Sequence, residues 1–239
     1  MTYIFLVAGK GTRMRPLTQN FSKSLFKLDK DITVLEKMVA LMRKHDNNAR
    51  IVLVTGFMHE AIEKAIPDAI NVFNPFYSVT NSIASLWFAR QYLDTDNTII
   101  INGDIVTSEE LVKDIICRPT DHASVLIDSS IKNDGDYNAQ IMDNHIVVMS
   151  KGLNEYHGEY AGIAKLDRNS ARLLRDEIEY MINQGQYELW YEEALVQMIF
   201  EKNFILFFDD VCDYEWTEID SVNDLLLARK IHQVRQTEA

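Results

Sequence analysis

Cysteine is nearly missing from this sequence. Cys117 and Cys212 are the only two in 239 residues, and they share no metal-ligand spacing. A disulfide framework and a structural zinc site are both excluded as organising principles. Long apolar runs are missing as well. No stretch approaches the roughly 20 residues that a membrane-spanning helix needs. The opening run, Tyr3 to Ala8, is too short and lacks the basic flank of a secretory leader. A cytoplasmic protein without membrane contact is the expectation. Positive charge is also in deficit: the formal net charge is −12, against a general nucleic-acid binder, whose surface would be basic. Repeats, low-complexity segments and linker composition are absent. No serine, cysteine or histidine sits in a convincing nucleophile-base arrangement, and His45, His59 and His157 fall in expected surface segments.

What is present is an alternation of buried strands and helices. Tyr3 to Ala8 is continuously apolar and runs into Gly9; Arg50 to Thr55 repeats the pattern before Gly56, and Asn97 to Ile101 repeats it before Asn102-Gly103-Asp104. Such runs suit strands covered on both faces, as in a parallel sheet. Helical patterns at about 33–45, 58–66 and 78–93 separate them. The expected fold is therefore α/β, with a Rossmann-like, mostly parallel central sheet flanked by helices. The second half reads as richer in β-structure. A strand is expected at Ser124 to Asp128, a hairpin around Asp143-Asn144, strands at Tyr160 to Leu166 and Phe204 to Phe208, and helices at 168–184, 190–202 and after Asp220 or Ser221.

The loop after the first strand carries the densest signal. It reads Leu6-Val7-Ala8-Gly9-Lys10-Gly11-Thr12-Arg13-Met14-Arg15-Pro16-Leu17-Thr18, followed by Lys23. Residues 1–30 hold six cations against the single acid Asp29, a local basic segment in an acidic protein. Glycines let a backbone approach a ligand closely, and the N–H groups of such a loop can face phosphate oxygens. Arg13 and Lys23 can neutralise a triphosphate. The Walker pattern is absent, and Met14 stands where the dinucleotide fingerprint needs its third glycine. A nicotinamide dehydrogenase is thereby disfavoured.

These residues resemble the signature of sugar-phosphate-type nucleotidyltransferases, roughly L-A-A-G-x-G-x-R-x-x-P-L-T and then Pro-Lys. Ser22 stands where that signature has proline. The resemblance implies that Leu6, Ala8, Gly9, Gly11, Thr12 and Arg13 wrap a nucleotide, and that Arg13 and Lys23 meet its phosphates. It also implies a Mg²⁺ ion held by two aspartates. Asp104 ends the third buried strand, and Asp220 lies in Glu218-Ile219-Asp220 before the last helix. On spacing alone, Asp220 equally fits a helix N-cap and Asp104 a turn.

The stretch Asn74-Pro75-Phe76-Tyr77 … Asn81-Ser82-Ile83-Ala84-Ser85-Leu86 resembles the base loop of the phosphocholine cytidylyltransferase-type subgroup. That resemblance implies CTP, with Tyr77, Asn81 and Ser85 as base or ribose contacts. Trp190-Tyr191-Glu192 matches an aromatic pair and acid of the subgroup, in changed order, and Asp136-Tyr137 matches an acidic-aromatic pair opposite. Aromatic faces and a carboxylate suit an ammonium; acids in a first helical turn and aromatics over a core edge suit a packed helix equally well. Lys151 is the candidate contact for an acceptor phosphate. Together these imply a single domain, 1–239, with residues 1–120 serving the NTP and 121–239 the acceptor. The expected reaction is CMP transfer from CTP to a small phosphorylated or phosphonate amine. Phosphocholine leads; 2-aminoethylphosphonate, a sugar 1-phosphate, or a nucleotide-binding protein without turnover are the alternatives. The subgroup serves cell-surface decoration. The sequence sets no oligomeric state.

Overall fold

The computed structural model describes residues 1–14, 16–131 and 137–233, the side chain of Arg13 excepted. Four parallel strands form its centre: β1 (Thr2–Val7), β2 (Arg50–Thr55), β3 (Ile70–Phe73) and β4 (Asn97–Asn102). β1 pairs with β2 on one side and β4 on the other. The chain order therefore reverses at β1, and the crevice beyond the carboxyl ends of β1 and β4 is the place where open α/β sheets bind ligands.

β1, β2 and β4 are buried on both faces because helices cover both, while β3 at the edge is half-exposed. Ile4, Val52 and Ile100 join one apolar cluster; Tyr3, Phe5, Leu53 and Ile101 join the other. α1 (Val34–His45), α2 (His59–Ala65) and the short α4 (Glu109–Leu111), which continues as a π-helical turn to Ile116, pack on the second face. α3 (Ser82–Phe88), α5 (Arg168–Asn183) and α6 (Tyr191–Lys202) cover the first. α1 starts where the sequence provides reciprocal caps. Thr33 Oγ1 accepts from the Glu36 N–H, and Glu36 accepts from the Thr33 N–H.

The second half extends the same sheet in mixed sense. β9 (Gly158–Asp167) runs antiparallel to both β4 and β6 (Ser124–Asp128), and β10 (Phe207–Asp210) adds to the edge parallel to β6. β7 (Asn138–Met142) and β8 (His145–Ser150) form the expected hairpin. Asp143 and Asn144 take φ of 48° and 65°, the pair of positive values that a tight hairpin turn demands. The last strand lies three residues later than its apolar run, because Leu206 is taken up by a bridge to Ile146 and pairing with β6 begins only at Phe207. Two very short strands, β5 (Ile105–Thr107) and β11 (Trp216–Glu218), form a separate antiparallel ribbon that delivers the chain to α7 (Val222–Gln233). No helix among the described residues is long and apolar enough to cross a membrane.

Candidate active site

A cleft of about 510 Å³ lies over the crevice at the ends of β1 and β4. Leu6, Ala8, Gly9, Gly11 and Thr12 line one wall. A Cβ at Gly9 would meet nothing within 4 Å, so the bare backbone faces open space. Gly11 needs its missing side chain for another reason. Its φ is +59°, and a Cβ would lie 3.0 Å from Lys23 Cγ. The Thr18 hydroxyl donates to the Gly11 carbonyl at 2.5 Å. The loop is thus folded back over the Lys23 stem. Ser22 takes φ −79° and ψ 139°, values open to proline, so the substitution in the signature leaves the backbone course intact. The side chain of Arg13 and the residue Asp136, both expected at the site, lie outside the described residues.

Lys23 is buried, with its ammonium 3.0 Å from Asp104 Oδ2 and bonded to Asp220 Oδ1. Burial alone would lower its pKa; the two carboxylates outweigh that and leave it raised. Glu218 completes the group. Asp104, Glu218 and Asp220 each offer a carboxylate oxygen, and these lie within 4.8 Å of one another. An all-carboxylate set of this size suits a hard divalent cation, and the Lys23 ammonium between two of its members shows that the spot draws positive charge. Capping does not account for Asp220. Ser221 Oγ accepts from the Asp224 N–H, and Asp224 accepts from the N–H groups of Asp220 and Ser221. The cap of α7 is therefore the Ser221–Asp224 pair, which leaves the Asp220 carboxylate to the cluster. Glu218 was not expected as a third member; the pairing of β11 with β5 brings it there.

The opposite wall carries Tyr77, Asn81 and Ser85. Asn74 organises it: its amide donates to Ser85 Oγ at 3.1 Å and Thr80 Oγ1 at 3.2 Å, and its carbonyl oxygen accepts from the Phe76 N–H. Tyr77 packs against Gly56, where a Cβ would fall 2.6 Å from Tyr77 Cβ. The Lys10 ammonium stands 5.6 Å from the Tyr77 ring centroid. Asn81 also caps α3, its side chain accepting from the Ser82 N–H.

At the far end lie Tyr137, Lys151, Trp190 and Glu192. The rings of Tyr137 and Trp190 meet edge to face, 5.6 Å apart at 70°. The Lys151 ammonium sits 3.9 Å from the Trp190 ring centroid, a cation on an aromatic face. The two acids that open α6 divide their tasks. Glu193 accepts from the Trp190 N–H and caps the helix. Glu192 is buried and faces the cleft; burial pushes its carboxyl up to about 7, against the opposing pull of its own backbone N–H and the Asn102 side chain.

Tyr191 corrects the expectation of an acceptor contact. It is wholly buried, lies outside the cleft lining, and its hydroxyl pairs with that of Tyr160. Consecutive helical residues point about 100° apart, and here Glu192 faces the cleft while Tyr191 turns into the core. Tyr160 and Asn102 line the cleft instead. Neither carried a motif; each is placed by strand pairing alone.

The Nucleotidyl transferase family profile matches residues 2–137. Choline-phosphate cytidylyltransferase of Haemophilus influenzae is 32% identical over 113 residues, 46% of this chain and 47% of that protein. The enzyme of the same name from Streptococcus pneumoniae is 24% identical over the full length of both chains. The 2-aminoethylphosphonate cytidylyltransferase of Lancefieldella rimae is 32% identical over 110 residues, 45% of this chain and 44% of that one. The local matches thus span about half of the Haemophilus and Lancefieldella proteins. The solved structure of the Streptococcus pneumoniae CTP:phosphocholine cytidylyltransferase superposes with a TM-score of 0.76 at 19% identity, covering 97% of this chain and 98% of the other, which shows a common fold. With more than half of its residues inside the family profile, the chain belongs to the nucleotidyl transferase family, whose members are enzymes that transfer a nucleotidyl group.

Proposed function

We propose that this enzyme is a cytidylyltransferase that moves CMP from CTP to a small acceptor carrying both a phosphate or phosphonate and an ammonium, with phosphocholine first among candidates. The observation that carries the acceptor class is the far end of the cleft. There an ammonium already lies 3.9 Å from the Trp190 centroid, beside the buried carboxylate Glu192 and in the same cleft as the glycine loop. The similarity to cytidylyltransferases of choline phosphate and 2-aminoethylphosphonate supports the same class.

On this reading the first 120 residues hold the nucleotide and the rest the acceptor. Gly9, Gly11 and Thr12 offer backbone N–H groups to the triphosphate, Arg13 and Lys23 bring cations to it, and Tyr77, Asn81 and Ser85 border the cytidine. Asp104, Asp220 and Glu218 would hold Mg²⁺, which when bound supplies charge neutralisation for the phosphates. The acceptor's phosphate oxygen is already anionic, so no side chain need be activated as a nucleophile. That oxygen forms a bond to the α-phosphorus, the bond from the α-phosphorus to the bridging oxygen breaks, and pyrophosphate leaves with the electron pair. Lys23 stabilises negative charge as it spreads over the phosphoryl oxygens. Trp190, Tyr137 and Glu192 hold the acceptor ammonium, and Lys151 meets its phosphate.

The test is pyrophosphate release with CTP and Mg²⁺ across phosphocholine, phosphoethanolamine, 2-aminoethylphosphonate and sugar 1-phosphates, repeated with UTP, ATP, GTP and dTTP. Turnover of an amine acceptor with CTP is expected. Turnover only with a sugar 1-phosphate would remove the acceptor class, and use of UTP or dTTP in place of CTP would remove the base assignment.

A further inference from the structure

Asn74 immediately follows β3 and is wholly buried behind the part of the cleft wall formed by Thr80 and Ser85. The Phe76 N–H donates to Asn74 Oδ1 at 2.9 Å, which fixes the oxygen end of the amide toward the turn at Pro75. Nδ2 then faces the other way, and its hydrogens go to Thr80 Oγ1 at 3.2 Å and Ser85 Oγ at 3.1 Å. The two hydroxyls that receive them are not equivalent. Thr80 passes its own hydrogen to the Phe76 carbonyl at 2.9 Å, back within the loop. Ser85, on α3, is buried and lines the cleft. A serine inside a helix often donates to the carbonyl four residues back. For Ser85 that carbonyl belongs to Asn81 and accepts the Ser85 N–H at 3.2 Å; among the described residues no acceptor takes the Ser85 hydroxyl hydrogen.

We propose that Asn74 is a positioning residue that sets nucleotide preference: by donating to Ser85 Oγ from behind, it turns the Ser85 hydroxyl into a hydrogen donor toward the base, matched to the ring N3 of cytosine and opposed to that of uracil. The inference rests on the reading above that Ser85 borders the cytidine. A serine hydroxyl by itself has no fixed polarity, since rotation about one bond exchanges its hydrogen for a lone pair. It can therefore meet either pyrimidine. The two bases differ at N3, which is a bare acceptor in cytosine and an N–H donor in uracil and thymine. Asn74 removes the ambiguity. Its Nδ2 has only hydrogens to give, and its Oδ1 is held away by the Phe76 N–H, so the Ser85 hydrogen finds no acceptor on the inner side and points into the cleft. A flip of the amide would set Nδ2 against the Phe76 N–H, donor against donor, in a place without water to relieve it. The polarity of the hydroxyl is thus inherited from the turn at Pro75.

Nucleotide binding is measured by calorimetry with Mg²⁺ at pH 8 and no acceptor, so the acceptor class does not enter. The probes are CTP, UTP and 3-deaza-CTP, in which a C–H replaces N3. Wild type is expected to bind 3-deaza-CTP about tenfold more weakly than CTP, the effect of losing one hydrogen bond, and UTP more weakly still. Ser85→Ala is expected to bind CTP and 3-deaza-CTP within twofold of each other. Asn74→Asp puts an acceptor of nearly the same shape where the inward donor was. The Ser85 hydrogen then has a partner on the inner side and its lone pair faces the cleft, so the preference for CTP over UTP is expected to fall at least tenfold. A merely structural role would weaken both nucleotides alike and leave that ratio where it was. On the Ser85→Ala background, Asn74→Asp should move the ratio less than twofold. Asn74→Ala serves if the aspartate variant does not fold: the hydroxyl can then rotate, and the penalty for 3-deaza-CTP is expected to drop below threefold. An unchanged ratio in Asn74→Asp, or the full penalty retained in Asn74→Ala, overturns the role of Asn74. Equal binding of CTP and 3-deaza-CTP by a wild type that prefers CTP to UTP overturns the contact with N3. A wild type that does not prefer CTP to UTP would remove the base assignment itself and this inference with it, a result told apart from the others because no variant is needed to see it.

Discussion

Lys23 places its ammonium 3.0 Å from the Asp104 carboxylate, although a whole βαβ unit and more separates them in the chain. The contact shows how the free enzyme tolerates three clustered carboxylates: an internal cation offsets them until another arrives. Removing it should expose the cluster to outside cations. Lys23→Met is expected to tighten binding of Mn²⁺ to the nucleotide-free protein roughly tenfold while lowering turnover roughly a hundredfold. Manganese paramagnetic resonance and pyrophosphate release read the two effects separately. An unchanged Mn²⁺ affinity would mean that the carboxylates are not a cation site.

Glu192 should make stability and acceptor binding pull in opposite directions. Its folded carboxyl lies at about 7, above the 4.5 of a free glutamate, chiefly because it is buried. Between those two values the folded chain binds the extra proton, so stability falls as pH rises from about 4.5 to about 7 and then levels off, by an amount on the order of 3 kcal/mol. Glu192→Gln is therefore expected to melt several degrees above wild type at pH 8, with the gap closing near pH 5. Acceptor kcat/KM should rise through the same interval in wild type, because only the anion attracts an ammonium. Thermal melts at the two pH values check the first claim, and a pH–rate series checks the second.

The aromatic corner predicts a graded response. Trp190→Phe keeps a ring face and should raise the acceptor KM a few-fold, while Trp190→Ala should raise it by more than tenfold, in line with about 1–2 kcal/mol for a desolvated cation–π contact. Acceptors stepped from a primary to a quaternary ammonium would report whether the ring face or Glu192 dominates. Equal KM values for wild type and Trp190→Ala would reduce Trp190 to packing.

Local chemistry was the legible part of this site. The glycine loop and Lys23 are fixed by a contiguous pattern, and Asp104 by the end of a buried strand, so both stand out in the sequence. Asp220 was ambiguous between cap and cluster, and only the bonds of Ser221 and Asp224 decide it. Glu218, Tyr160 and Asn102 were not legible. β5 and β11 have three residues each, too few to show a period, and their pairing is what carries Glu218 to Asp104. Asn102 depends on β4 lying beside β1, and Tyr160 on β9 lying antiparallel beside β6, choices of partner that alternation within a strand cannot encode. Three of the four parallel strands were readable because strands buried on both faces are uniformly apolar; β3, a four-residue half-exposed edge strand containing Asn71, was not. The late placement of β10 was not, because its apolar residues are shared with the bridge of Leu206.

Gly103 and Gly162 should be intolerant of even one methyl group, for different reasons. A Cβ on Gly103 would lie 2.5 Å from Val7 Cγ1 and 2.6 Å from the Leu6 carbonyl oxygen, within the crevice where β1 and β4 part. Gly103→Ala is expected to shift Asp104 and lower turnover more than stability. Gly162→Ala combines a φ of +70° with a contact 2.7 Å from Ile105 Cδ1 and should cost about 1–3 kcal/mol in folding. Urea denaturation of both variants, alongside their turnover, tests the contrast; a Gly162→Ala protein as stable as wild type would contradict it.

Tyr191 supplies the sharpest check on which aromatic residues belong to the acceptor. Its ring is wholly buried and its hydroxyl bonds with that of Tyr160, while Trp190 and Tyr137 face the cleft. Tyr191→Phe would leave the Tyr160 hydroxyl without its buried partner, which costs about 1–2 kcal/mol. The expected result is a protein melting a few degrees lower with an acceptor KM within twofold of wild type. Tyr137→Leu should do the reverse, raising the acceptor KM several-fold at a smaller cost in melting temperature, because its ring borders the cleft and is packed edge to face on Trp190. A large KM effect in Tyr191→Phe would mean that the buried hydroxyl pair reaches the acceptor through Tyr160, and it would move Tyr191 back among the residues that shape the pocket.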